Sequence, residues 1–375
     1  MKKILWYTVT LITTALLCAC NGEKPPYQPP SWDKNVYPST EWTTAGFEDF
    51  GYNSNTGDAL NTFLASGSNN VTGLVVIIGG KQVYSYGNTS ETSYLASARK
   101  SILAMMYGKY VENGTIDLNR TLDDLIINGV IRNDVQALLP IERQATILNC
   151  ITARSGVHIN GSNTGDDRAF FQPRGSMIPG TYYLYNNWDF NVSGSIFEGL
   201  TGKDIYDAFG EDLAVPLQFQ DWFRNRQVKG GTTSISVYRA YHFYLSARDM
   251  ARLGYLMLRN GKWNNDQLIP ATWCSRSTKA FTPLGEMNPA SRRSGNFGYG
   301  YMWWVWDGTA NTGAYKGAYM AQGAGGQYIV VLPALDMVIA QKRDANILTA
   351  GYSNTNFLRF LSTLISQQTK PYTLN

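Results

Sequence analysis

The chain has 375 residues, of which 44% are hydrophobic and 16% charged, a balance typical of a globular protein and not of a disordered one. Its net charge is only +4 and it contains no block of Lys and Arg, so nothing in it predicts nucleic-acid binding. The two histidines, His158 and His242, lie far apart and no Cys/His cluster is present, so we expect no metal site and no other cofactor.

The N-terminus has the pattern of an export signal. Two lysines precede an apolar stretch, residues 4–17, that is too short for a comfortable membrane span. The stretch ends in Leu-Cys-Ala-Cys, and small or apolar residues directly before a cysteine are typical of a bacterial lipobox. We therefore predict a lipoprotein signal peptide over residues 1–19, lipid on Cys20, and a location in the bacterial cell envelope, periplasmic or on the outer face. The alternative is an ordinary secretory signal with an incidental cysteine.

The segment that follows is predicted to be a tether. Residues 20–45 are rich in Pro and polar residues, including two Pro-Pro pairs that favour extended chain. We assign residues 46–375 to one folded domain. Export would permit a disulfide between Cys150 and Cys274, and the sequence leaves that pairing open.

Strand and helix patterns succeed one another in the first third of the domain. A helix is predicted near residues 58–65. Residues 74–78 form an apolar, β-branched run, followed by Gly79-Gly80 and a second strand-like run at 83–86, which together predict a hairpin whose first strand is buried on both faces. A largely apolar helix is then predicted from Ser97 to about Glu112, ended by Asn-Gly.

The rest of the chain returns to strands after a helical middle. Residues 115–285 mix helices and loops, with an amphipathic helix over 246–258. Strand-like runs follow and a last helix closes the domain; these segments are Tyr301–Trp306, Tyr328–Leu332, Met337–Ala340 and the helix Asn356–Ile365. Strands at both chain ends around a helical middle predict an α+β fold, with one antiparallel sheet and a helical lobe.

Ser97-Ala98-Arg99-Lys100 is the motif with the clearest chemistry. A serine hydroxyl is a poor nucleophile until a base takes its proton. Residues three apart at a helix start share a face, so an amine at Lys100 lies within reach of the Ser97 hydroxyl. Burial and the helix N-terminus both favour the neutral amine that a base requires. The alternative is a chance Ser-x-x-Lys on a solvated helix, but the surrounding helix is apolar.

Tyr185-Asn186-Asn187 is the second candidate motif. A tyrosine near a Ser–Lys pair can relay a proton to the leaving group, which makes Tyr185 a candidate proton shuttle. Asn187 can hydrogen-bond the lysine or a substrate carbonyl. Most Tyr-x-Asn tripeptides are surface turns, so this assignment depends on the first motif.

These motifs, taken in order, resemble the penicillin-recognising serine hydrolases. The resemblance is to the class C β-lactamase and esterase branch, and within it to 6-aminohexanoate-dimer hydrolase-like proteins. The segments that carry it cover most of residues 50–370, and they are Ser97–Ser101, Ala153–Val157, Pro179–Tyr183 with Tyr185–Asn187, Ser246–Asp249, and Gly323–Tyr328. The resemblance implies a β-lactamase/transpeptidase-like fold, catalysis by Ser97, Lys100 and Tyr185, and no cofactor.

The third family motif is altered in this chain. It normally begins with Lys or His and ends with Gly, whereas the resemblance aligns Ala321-Gln322-Gly323 with it. The missing cation and hydroxyl put β-lactam or cell-wall peptide specificity in doubt, and leave Gln322 and Gly323 as candidate substrate-binding residues. The alternative is that an arginine from elsewhere in the chain, such as Arg292 or Arg293, supplies the missing charge. The resemblance also implies an oxyanion hole from the amides of Ser97 and Ala324. A glycine-rich turn without catalytic function is the alternative; a phosphate loop would require Gly-Lys-Ser/Thr.

The sequence therefore predicts a serine hydrolase that acts through an acyl-enzyme on a small amide, ester or peptide-like substrate. We expect its membrane contact to be the lipid anchor alone. A β-lactamase or D-alanyl-D-alanine peptidase is one alternative, and a non-hydrolytic sensor or scaffold lipoprotein is another. His242 either lines the substrate cleft, as the resemblance suggests, or is a structural histidine, which we favour.

Overall fold

The computed structural model describes residues 36–66, 69–163, 165, 167–344 and 354–370. The predicted signal peptide, Cys20 and the first part of the predicted tether lie outside the described residues. No helix among those described is long and apolar enough to cross a bilayer. The helices are α1 (Thr56–Ala65), α2 (Arg99–Glu112), α3 (Leu122–Ile127), α4 (Ile147–Ile151), α5 (Asn187–Thr201), α6 (Ile205–Phe209), α7 (Ala247–Leu258), α8 (Ala271–Ser277) and α9 (Asn354–Ser366).

The main sheet has seven antiparallel strands in the order β2-β1-β13-β12-β11-β10-β9. Its strands come from both ends of the chain, and the helical middle packs beside it, which confirms the predicted α+β fold. The strands are β1 (Val71–Ile78), β2 (Lys81–Gly87), β3 (Ser93–Tyr94), β4 (Val228–Gly230), β5 (Ala240–His242), β6 (Tyr244–Leu245), β7 (Lys262–Trp263), β8 (Asp266–Gln267), β9 (Phe297–Tyr299), β10 (Trp304–Trp306), β11 (Tyr319–Gly323), β12 (Gln327–Leu332) and β13 (Met337–Arg343). Three two-stranded ladders pair β3 with β6, β4 with β5 and β7 with β8.

Helices cover both faces of the sheet. Successive residues of β1 point to opposite faces, so Val75 and Ile77 join the larger apolar core with α2 and α7, whereas Val76 joins the smaller core with α1 and α9. The β1–β2 hairpin turns at Gly79-Gly80, where both φ angles are positive. The predicted burial of β1 on both faces follows from this three-layer arrangement.

Several strand boundaries differ from the predictions by one to three residues; β1, for example, begins at Val71 and not at Leu74. β13 was predicted to end at Ala340 but continues to Arg343, because Gln341, Lys342 and Arg343 are buried polar residues whose side chains bond backbone carbonyls. β10 was predicted to begin at Tyr301 but begins at Trp304, since Met302 has a φ of +59° and breaks the extended chain.

Residues 36–45, predicted as the end of the tether, contact the folded domain. The Trp42 ring packs edge-on against Tyr255 at 5.6 Å between centroids, and Arg252 Nη2 donates to the Ser39 carbonyl at 2.8 Å. Thr44 forms a bridge with Gln82 at the edge of the sheet. The folded part of the chain therefore includes these residues. Cys150 and Cys274 are both buried free thiols in this structure.

Candidate active site

Ser97 is presented by a sharp turn between a strand and a helix. β3 pairs with β6, and the next residue, Leu95, donates its N–H to the Phe243 carbonyl at 2.9 Å. Ala96 then takes a φ of +48°, a conformation that L-residues rarely adopt, and starts a 3₁₀ turn that runs into α2. Ser97 therefore lies in the 3₁₀ turn at the N-terminal end of α2.

Lys100 is the centre of a four-residue hydrogen-bond cluster. Its Nζ lies 2.8 Å from Ser97 Oγ, 2.5 Å from the Tyr185 hydroxyl and 2.7 Å from Asn187 Oδ1. The side chain is 1% exposed. Nζ also lies 4.5 Å from the centroid of the Tyr185 ring and 4.8 Å from that of Phe190. The structure therefore brings together all four side chains that the sequence named as catalytic candidates.

Two motifs of the resemblance assemble into the support for Tyr185. Gly180 N–H donates to the Arg154 carbonyl at 2.7 Å, and Arg154 Nε donates to the Gly180 carbonyl at 2.9 Å. Leu184 N–H donates to the Ala153 carbonyl at 2.9 Å, which fixes the residue directly before Tyr185. These motifs thus position the tyrosine from the scaffold and do not themselves join the cluster.

Asn186 is a residue that the sequence analysis left without a role. Its side chain accepts from Trp188 N–H and so caps α5, while its Nδ2 donates to the carbonyls of Val157 and Ile159 at 2.8 and 3.2 Å. Asn at an N-cap is a recognisable local signal. This cap orients the first residue of α5, which is Asn187.

Burial raises the pKa of Tyr185 to about 12. The hydrogen bond with Ser97 and the positive charges of Arg99 and Arg292 oppose the rise, and the carboxylate of Asp167 adds to it. At neutral pH the side chain is therefore a phenol that has a proton to give.

Arg99 is a second residue that the sequence analysis did not single out. It is 1% exposed, its Nη2 donates to Asn191 Oδ1 at 2.9 Å, and its guanidinium lies 4.2 Å above the Tyr241 ring. Both partners are neutral, so the positive charge of Arg99 stays uncompensated by them and acts on Tyr185. In the sequence, the only indication that Arg99 lies at the site is its position next to Lys100.

The altered third motif lies on β11 against the segment that leads to Ser97. A Cβ placed on Gly323 would lie 2.2 Å from the Leu95 carbonyl oxygen, so only glycine fits there. Ala321 is fully buried, and Gln322 is partly buried. Neither side chain carries a positive charge.

Ala324 begins a tight turn that buried side chains hold in place. Arg343 Nη1 donates to the Gly325 carbonyl at 2.8 Å, and Gln341 Nε2 donates to the Gly326 carbonyl at 3.0 Å. Among the described residues, neither the Ala324 N–H nor the Ser97 N–H donates to a protein acceptor. Both amides are therefore available to a ligand.

His242 lies at the end of β5, beside the segment that leads to Ser97. Its ring packs edge-on against Tyr94 with centroids 5.0 Å apart, and the ring would clash with any Cβ on Gly230. Burial and the positive charges of Arg99 and Arg239 lower the pKa of His242 to about 4, and its buried Nδ1 has no partner among the described residues. It is not part of the Lys100 hydrogen-bond cluster.

Comparisons with known proteins agree with this architecture. The beta-lactamase family model matches residues 59–366. Among solved structures, a protein assigned as a 6-aminohexanoate-dimer hydrolase from Bacillus anthracis is similar with a TM-score of 0.61 and 20% identity, covering 82% of this chain and 80% of that one. EstCE1, a hydrolase with promiscuous acyltransferase activity, has a TM-score of 0.60 and 13% identity, covering 82% and 98%.

A class C beta-lactamase has a TM-score of 0.60 and 15% identity, covering 84% of this chain and 96% of that one. These identities are low, so the similar structures establish the fold and not the substrate. No curated protein matches the sequence. The family match covers most of the chain, and the chain therefore belongs to the beta-lactamase family.

Proposed function

We propose that this protein is a serine hydrolase that forms an acyl-enzyme on Ser97 and acts on a small ester or linear amide. The observation that carries the proposal is the position of Lys100 Nζ, within hydrogen-bond distance of the candidate nucleophile, the candidate proton donor and an amide oxygen. An amine between a serine hydroxyl and a tyrosine hydroxyl is the arrangement that proton transfer to and from a serine nucleophile requires.

The contacts support a complete acyl-transfer sequence. Three acceptors lie within hydrogen-bond distance of Nζ, and in its neutral form the amine has a lone pair that can accept the Ser97 proton. Ser97 Oγ then bonds to the substrate carbonyl carbon, and the carbonyl oxygen becomes an oxyanion that receives hydrogen bonds from the Ser97 and Ala324 amides.

Collapse of this intermediate breaks the bond to the leaving group. Tyr185, a phenol at neutral pH, gives its proton to the departing oxygen or nitrogen and is reprotonated from Lys100. Water then attacks the acyl-enzyme, its proton passes to the same base, and Ser97 leaves with a proton restored. Asn187 keeps the lysine aligned throughout.

The substrate class follows from β11. Ala321 and Gln322 supply no cation to a carboxylate next to the scissile bond. Charge-assisted hydrogen bonds are roughly twice as strong as neutral ones, so this strand discriminates little in favour of β-lactams or C-terminal D-alanine peptides. Hydrolysis of an uncharged ester requires only the Lys100 hydrogen-bond cluster and the backbone amides of Ser97 and Ala324.

Ser97→Ala tests the assignment directly. A fluorophosphonate probe should label the wild-type protein at Ser97, as located by mass spectrometry, whereas the variant should show neither labelling nor turnover of p-nitrophenyl butyrate. Ser101→Ala is a matched control, because Ser101 is on the same helix and its Oγ donates to the Met302 carbonyl outside the cluster. An adduct on another residue, or no labelling of folded wild-type protein, would contradict the mechanism.

We also propose that the enzyme is exported and anchored through lipid on Cys20. The support is the sequence pattern, a short apolar run that ends in Leu-Cys-Ala-Cys. A diacylated cysteine would hold the domain stably at a membrane, which one acyl chain alone does not.

A further inference from the structure

An ion pair between two segments that are distant in sequence lies beside Tyr185. Arg292 Nη2 lies 2.9 Å from each carboxylate oxygen of Asp167. Asp167 is itself held to the candidate catalytic tyrosine, because its N–H donates to the Tyr185 carbonyl at 3.0 Å. The pair thus joins the segment before Tyr185 to the 3₁₀ helix Ala290–Ser294, which precedes β9.

One indole ring separates the guanidinium from the phenol. Arg292 Cζ lies 5.2 Å from the centroid of Trp304, and the Trp304 ring stacks on the Tyr185 ring at 5.8 Å with 22° between the planes. Trp304 pairs with Met320 on β11, next to the altered third motif. Arg292 therefore stands on the same side of the site as the strand that has lost its cation.

On the proposed mechanism, the leaving group departs on this side of the site. Tyr185 is the proposed proton donor to the leaving group, so substituents of that group lie near Tyr185 and its neighbours. Of the two arginines whose charges act on Tyr185, Arg99 is only 1% exposed, whereas the Arg292 side chain is 33% exposed. Arg292 is thus the arginine of the two that a leaving-group carboxylate can approach.

The carboxylate of Asp167 already forms an ion pair with the Arg292 guanidinium. It is 16% exposed and contacts a single guanidinium nitrogen, Nη2, while the buried Nε of Arg292 has no partner among the described residues. A second carboxylate approaching this pair would be repelled by Asp167, or would have to displace it from a partly buried ion pair.

We propose that Asp167 is a built-in carboxylate that neutralises Arg292 and so restricts the enzyme to substrates with uncharged leaving groups. The proposal rests on the proposed function and deepens it by naming a specificity-determining residue. Removing the negative charge of Asp167 frees the Arg292 guanidinium to hold a leaving-group carboxylate. Asn at this position keeps the side-chain size and the backbone N–H that bonds Tyr185.

A matched pair of aryl esters provides the test. 3-Acetoxybenzoate carries a carboxylate on its phenolic leaving group, and methyl 3-acetoxybenzoate carries a neutral ester at the same position. The quantity measured is the ratio of kcat/KM for the anionic ester to that for the neutral one. A hydrogen bond between charged groups can change this ratio by at least about tenfold. Asp167→Asn should therefore raise the ratio by that factor or more.

Two further variants separate charge from structure. In Asp167→Asn/Arg292→Gln the ratio should return to the wild-type value, since the freed cation is gone. Asp221→Asn is the control, because Asp221 forms a comparable two-oxygen ion pair with Arg248 away from the cluster, and it should leave the ratio unchanged. If Asp167→Asn does not fold, the experiment uses Asp167→Ser instead, because serine also lacks the negative charge.

The outcomes are distinguishable. The specificity role is overturned if a folded, active Asp167 variant keeps the wild-type ratio of kcat/KM for the anionic ester to that for the neutral ester. It is also overturned if the ratio stays raised in the double variant that lacks Arg292. A wild-type protein that is not labelled at Ser97 and hydrolyses neither ester overturns the proposed function instead.

Discussion

Gly323→Ala should disable the enzyme through backbone geometry alone. The new Cβ would lie 2.2 Å from the Leu95 carbonyl oxygen, whereas ordinary contact begins at 3.4 Å, so the two segments must separate by about 1 Å. Leu95 cannot yield easily, because its N–H is bonded to the Phe243 carbonyl and its own carbonyl accepts from Ala98 N–H.

The displacement acts on the two amides proposed to bind the oxyanion. Gly323 directly precedes Ala324, and Leu95 lies two residues before Ser97, so parting them widens the gap between the two donors. A misplacement of about 1 Å can cost about 10²-fold in rate, and loss of one oxyanion donor costs about 10²–10³-fold in kcat. We expect kcat for p-nitrophenyl butyrate to fall by about 100-fold or more.

The assay compares kcat, KM and the rate of fluorophosphonate labelling with the melting temperature. Overpacking of this kind costs roughly 1–3 kcal/mol, so the variant should remain folded with a lowered melting temperature. Gly57→Ala is the control: nothing lies within 4 Å of a Cβ there, and it is on α1, far from the cluster in sequence. A folded Gly323→Ala enzyme with kcat within about threefold of wild type would refute the geometry.

Three further predictions concern pH, anchoring and substrate. The pKa of His242 is lowered to about 4 in the folded state from 6.5, so its protonation favours the unfolded chain, and stability is lost as pH falls from about 6.5 to 4. The free energy of unfolding, measured with urea at several pH values, should fall less over that window for His242→Gln than for the wild-type protein. Equal slopes of this free energy against pH would contradict the effect. Cys20→Ser should move the protein from the membrane fraction to the soluble fraction, and unchanged fractionation would rule out the lipid anchor. kcat/KM for p-nitrophenyl butyrate should exceed that for nitrocefin, and the reverse order would favour a β-lactamase.

The sequence by itself determined the elements whose signals are local. The apolar run of β1, the Gly-Gly turn, the helix that follows Ser97 and the closing helix all carry their pattern within a few residues, and each lies within three residues of its predicted bounds. Phe357 and Leu364 of the closing helix are buried. The Ser97–Lys100 contact belongs with these, because three residues of helix fix its geometry.

Only the tertiary structure decided which distant side chains meet. Lys100 and Tyr185 are 85 residues apart, and Arg292 and Asp167 are 125 apart; no local pattern records such contacts. The uncompensated charge of Arg99 and the polar end of β13 were missed for the same reason. A polar residue is satisfied in a core only by the partners that the fold brings to it, so sequence patterns assign it to the surface until those partners are known.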